Sequence, residues 1–145
     1  VVPGIWELYG GAWENADGEA VFRKTITIPE AWSGKALTLN LGVVDDFDTT
    51  YFNGVKVGSM DITTPKFFST PRVYTIPAEL VKAGKAVIAV RAFDHGGTGG
   101  IKGENSQIFL ELSGQKKEQP PEIFYYPDYR SDFPLGDDPY RYYRW

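Results

Sequence analysis

The chain has 145 residues, enough for one domain with a sizeable core. Its net charge of −4 and lack of a basic patch argue against nucleic acid as a partner, and no apolar run approaches the roughly 20 residues that span a bilayer. Cysteine is absent, which excludes disulfides, thiol catalysis and a cysteine zinc site, and suits an extracellular bacterial protein or a cytosolic one. The opening Val1-Val2-Pro3-Gly4 has no signal-peptide character and reads as a cut inside a longer chain or a mature end.

Residues 1–19 place Trp6, Tyr9 and Trp13 among glycines and acids, a loop-rich lead-in with a short strand at residues 5–9. Residues 20–28 alternate, with Phe22, Ile26 and Ile28 inward, until Pro29 ends the strand because proline cannot donate to a ladder. A turn through Trp32 leads to Leu37, Leu39 and Leu41, alternating with Thr38 and Asn40 in a strand with one wet face. Phe52-Asn53-Gly54-Val55 then sets Asn-Gly between β-prone residues, the pair that best accepts two positive φ angles in a type I′ hairpin. Before it stand Asp45, Asp46 and Asp48. If this stretch is extended, Asp46, Asp48 and Thr50 share one face, and Phe47, Thr49 and Tyr51 the other.

Residues 59–71 read as a long loop, and residues 72–76 as a strand stopped by Pro77. Residues 78–85 read as one helical turn with Gly84 as its stop. Residues 86–93 are apolar on both faces apart from Arg91, the pattern of a central strand. A glycine-rich loop follows at residues 94–100, and residues 107–112 form the last strand. About seven short strands and almost no helix predict an all-β fold, an antiparallel β-sandwich, over residues 1–117. Composition changes beyond: residues 120–145 hold half of the ten prolines and nine aromatics. Residues 118–145 read as a tail that packs on the sandwich or on a neighbouring domain, since free aromatics would promote aggregation.

Several stretches together resemble a known family. They are Phe22-Arg23-Lys24, Ile28-Pro29-Glu30-Ala31-Trp32-Ser33-Gly34-Lys35 and the run from Asp45 to Gly58. With them go Arg72-Val73-Tyr74-Thr75-Ile76-Pro77 and Phe93-Asp94-His95-Gly96-Gly97. The combination, covering about two thirds of the chain, is similar to the jelly-roll "sugar-binding" domain of glycoside hydrolase family 2 enzymes and to its counterpart in bacterial sialate O-acetylesterases. The resemblance implies a galactose-binding-like jelly roll within a larger, secreted or periplasmic carbohydrate-active enzyme. In that family the catalytic residues lie in another domain, and an acid after the central strand can reach the neighbouring sugar site, a role that falls here on Asp94.

The chemistry left open is narrow. Asp45, Asp46 and Asp48 could ligate a hard cation such as a structural calcium, accept hydrogen bonds from sugar hydroxyls, or pair with Arg72 or Arg91. Asp94 and His95 could contact a ligand, or Asp94 could hold the glycine loop through backbone amides. Trp13 and Trp32, in polar glycine-containing loops, are candidate stacking platforms for sugar rings. With no Gly-x-Ser-x-Gly elbow and one histidine, catalysis by this chain alone is disfavoured, and a carboxylate pair acting across strands is the remaining route to a hydrolase. The expectation is a noncatalytic carbohydrate-binding module that partners a catalytic domain of the same polypeptide or complex, using Asp46, Asp48, Asp94, His95, Trp13 and Trp32. The alternative is an accessory domain that docks on a catalytic partner and binds no sugar.

Overall fold

A computed structural model describes residues 3–103 and 105–115; the expected tail, residues 118–145, lies outside the described residues. Among the described residues, nine strands, where about seven were expected, form the two antiparallel sheets of the expected all-β sandwich, and no α-helix occurs. The strands are β1 (Gly4–Ile5), β2 (Gly18–Ile28), β3 (Leu37–Asp45), β4 (Phe47–Phe52), β5 (Val55–Met60), β6 (Pro71–Ile76), β7 (Gly84–Asp94), β8 (Gly100–Lys102) and β9 (Ile108–Leu112). One sheet runs β1-β8-β3-β6, with β9 also paired to β3, and the other runs β2-β7-β4-β5.

The core between the sheets follows the period of two. Ile26 and Ile28 from β2, Ala86, Ile88, Val90 and Ala92 from β7, and Phe52 from β4 meet Leu37, Leu39, Leu41 and Ile76 from the other sheet. Strand β7 is central, paired along its whole length with β2 and along half of it with β4. Its inward residues are buried, while Val87, Arg91 and Phe93 stand outward. The hairpin between β4 and β5 turns at Asn53 (φ 48°) and Gly54 (φ 82°), the two positive angles that a type I′ turn needs.

Four local readings change. The lead-in strand stops at Ile5, because the chain coils into a 3₁₀ turn (Trp6–Tyr9) that drops the Trp6 indole into the core. The turn after Pro77 is a short 3₁₀ turn (Ala78–Leu80), and Gly84 does not end it. With φ 99°, Gly84 instead opens β7 opposite Ile28. Part of the glycine-rich loop, from Gly100, pairs as β8 with both β1 and β3. Proline also stands within a strand: Pro71 opens β6, the first position, where a missing donor is tolerated.

A buried ion pair joins the two sheets. Asp48 on β4 points inward, and its carboxylate accepts from Arg72 Nε on β6 at 2.9 Å, with both side chains fully buried. Thr50 donates to the same carboxylate at 2.8 Å, and the Tyr74 hydroxyl lies 2.9 Å from each of its oxygens. The other arms of the guanidinium donate to the carbonyls of Phe67, Thr70 and Asp46. Tyr74 is seated over Gly58 of β5, where any Cβ would collide with its ring. Burial, and then the Asp48 charge, push the Tyr74 phenol far above its usual range, so it stays a donor.

Truncating one member of such a pair strands the other charge without a partner. Asp48→Ala should therefore lower the unfolding free energy by about 3–5 kcal/mol in urea titrations. A loss below about 1 kcal/mol would contradict the role given to this pair.

Candidate functional site

The residues expected to meet a ligand divide between the two ends of the sandwich and its interior. Strands β3 and β7 finish at one end, at Asp45 and Asp94, and β2 begins there. Trp13, Asp46, Asp94 and His95 all belong to this end. Trp32 does not. It follows the far end of β2, an eleven-residue strand that begins at Gly18 and spans on the order of 30 Å at about 3.3 Å per residue. There it is partly buried and packs against the core.

Asp48 is also removed from any ligand surface, because its carboxylate is the buried partner of Arg72. The same geometry disperses the acids proposed to share a cation. Asp48 faces inward, Asp45 is paired with Lys102, and Asp46 Oδ2 accepts from the His95 amide at 3.0 Å. Among the described residues, no group of three acids or histidines is placed to hold a metal ion.

What gathers at this end is a glycine-rich loop fixed by carboxylates. Asp94 Oδ1 accepts from the Gly96 amide at 2.9 Å, the loop-holding role that its position allows. Glu7 grips the loop from the other side, both of its oxygens accepting from the Gly99 amide at 3.0 and 3.2 Å. Gly99 in turn lies against the Trp6 indole so closely that a Cβ there would overlap the ring, and its carbonyl accepts from the Trp6 amide at 3.1 Å. The Trp6 indole N–H donates to the Ala16 carbonyl at 2.8 Å, closing the lead-in over the loop.

This lead-in presents aromatic surface. Trp13 is 45% exposed, with Trp6 at 6.3 Å and Tyr9 edge-on at 6.5 Å. Trp6 stacks at 6.4 Å on Phe22 of β2, so the exposed ring rests on others that are anchored in the core. Tyr9 is absent from the sequence-based set of ligand residues, and no periodicity marks it, because it meets Trp13 only through two separate 3₁₀ turns of the lead-in.

The electrostatics at this end are one-sided. Burial raises the Asp46 carboxyl above its ordinary value, and the Asp45 carboxyl beside it adds to the effect. Burial likewise raises Asp94, reinforced by the charges of Glu7, Asp17 and Asp45. Asp94 is 1% exposed, and its Oδ2 has no hydrogen-bond partner among the described residues.

A raised carboxyl pKa sets the sign of a pH effect. Between the ordinary value of 3.8 and its raised value, folded Asp94 holds a proton that the unfolded chain has released. Stability therefore falls as pH rises through that window, and the cost persists at neutral pH. Asp94→Asn, which keeps an acceptor for the Gly96 amide, should melt at a higher temperature than the parent at pH 7. The difference should close below pH 3.8, where the parent carboxyl is protonated in both states. Scanning calorimetry across pH checks this, and a variant less stable than the parent at pH 7 would refute it.

No protein-family model and no curated protein matches the sequence. Solved structures do match the fold. The β-D-glucuronidase of Dictyoglomus thermophilum superposes on 64% of this chain with a TM-score of 0.56 at 21% sequence identity. The β-glucuronidase of Ruminococcus gnavus superposes on 64% with a TM-score of 0.55 at 19% identity. In each case the match spans 16% of the larger chain. At these identities the likeness is one of fold: the β-sandwich described here resembles a part of β-glucuronidases.

Proposed function

We propose that this chain is a noncatalytic module of a larger, secreted or periplasmic carbohydrate-active enzyme, and that it contacts poly- or oligosaccharide at the end where β3 and β7 finish. The observation that carries this reading is the pairing of an exposed Trp13 face, backed by Trp6 and Phe22, with the polar loop of Asp94 and His95. Stacking of a sugar ring on an aromatic face, flanked by groups that read hydroxyls, is the physical basis of carbohydrate recognition. His95 is exposed there and Asp46 half-buried, whereas Asp94 orders the loop from beneath. The likeness to a fraction of the glucuronidase chains supports a modular role, with the chemistry supplied by a catalytic domain elsewhere.

One feature favours the accessory reading, in which the module docks on a catalytic partner without binding sugar. The outer face of the four-stranded sheet leaves Val21, Val87 and Phe93 exposed. Beside them a groove of about 400 Å³ runs between Phe47, Phe93, Met60 and Ile62, with the Glu19–Arg91 ion pair at its margin.

A single experiment separates the two. A glycan array on the full chain, followed by titration of tryptophan fluorescence, should give saturable binding to at least one glycan class. Trp13→Ala should weaken that binding roughly three- to tenfold without changing the melting temperature appreciably. A flat response across the array would overturn the sugar-binding reading and leave the docking one.

A further inference from the structure

We propose that the same end of the sandwich selects saccharides that carry a free ammonium group and disfavours uronates, an inference that rests on the carbohydrate reading above. The three segments that build this end, residues 6–18, 45–47 and 94–102, carry six carboxylates (Glu7, Glu14, Asp17, Asp45, Asp46 and Asp94) against one lysine. Charge alone would not define a ligand. The second observation is Asp94 itself, buried to 1% exposure with Oδ2 unpartnered among the described residues while Oδ1 is occupied by the Gly96 amide. A buried carboxylate oxygen without a donor is a costly arrangement that an incoming N–H group relieves.

The kind of donor can be argued from the geometry. The acids are too dispersed for three of them to close on a metal ion. Yet this end already holds a primary ammonium of its own: Lys102 Nζ pairs with Asp45 and donates to Thr98 Oγ1 at 2.6 Å. A second ammonium, brought by a ligand, would find Asp46 and Asp94 next to that pair. A ligand carboxylate would meet only repulsion from Asp46 and Asp94.

The test compares three probes on the full chain by isothermal titration: a glucosamine hexasaccharide, its fully N-acetylated counterpart and an oligoglucuronate of the same length. The glucosamine oligomer should bind about tenfold more tightly than the N-acetylated one, and the oligoglucuronate most weakly. The preference should shrink when salt rises from about 20 mM to about 500 mM. Asp46→Asn, which keeps an acceptor for the His95 amide, should remove the preference. Glu79→Gln, an equal charge change on an exposed turn far from this end, should preserve it. Equal affinity for the glucosamine and N-acetylated oligomers, a tighter oligoglucuronate, or equal losses in the two variants would each overturn the inference. Binding of the N-acetylated oligomer without any preference leaves the carbohydrate reading standing, and no binding by any of the three probes overturns the inference, while the carbohydrate reading falls only with a flat glycan array.

Discussion

The ion pair between Asp48 and Arg72 is the constraint on which the rest of the sandwich depends. Apolar contacts hold the sheets face to face, and this bridge adds a directional link that fixes β4 against β6. Its polar groups are satisfied: the carboxylate takes Arg72, Thr50 and Tyr74, and the guanidinium also reaches three backbone carbonyls. Those carbonyls belong to Asp46 and to residues of the loop before β6, so a single side chain ties down the start of β4 and an adjacent loop. Burying charge is expensive, and such a pair is more a device for one arrangement over its neighbours than a net gain in stability.

That arrangement also sets the charge balance nearby. Of the three aspartates in the Asp45–Asp48 stretch, the pleat turns Asp48 inward to Arg72 and leaves Asp45 and Asp46 at the sheet's end beside Asp94. Lys102 answers Asp45, but the surrounding carboxylates outnumber it. The loop end keeps an excess of carboxylates, which gives the exposed Trp13 face an environment that suits donors better than anions.

Much of the architecture was legible because alternation and turn chemistry are local. Leu37, Leu39 and Leu41, the apolar run before Asp94 and the Asn53-Gly54 turn each announce their strand without reference to anything distant. The face assignment of Asp48 and Thr50 follows from the period of two as well, and pairing of an aspartate with Arg72 was among the readings open. What sequence could not decide was which acid would take which cation, because Asp48 and Arg72 meet only when two sheets stack. The same reason hides the burial of Trp6 and the separation of Trp13 from Trp32: both tryptophans sit in polar, glycine-containing turns, and only the direction of β2 puts them at opposite ends. The short β8 strand escaped notice because its glycines signal a loop, while its pairing depends on β1 and β3 arriving on either side.

Gly58 and Tyr74 carry a consequence for how this sequence can vary. The ring fills the space that any side chain at position 58 would need, and its hydroxyl reaches the carboxylate at the centre of the bridge. The two positions are therefore epistatic. A larger residue at 58 is compatible only with a smaller one at 74, and the smaller one gives up a hydrogen bond to a buried charge. Homologous chains that retain the bridge should hold the glycine and the tyrosine as a pair, drifting freely at the exposed positions around them.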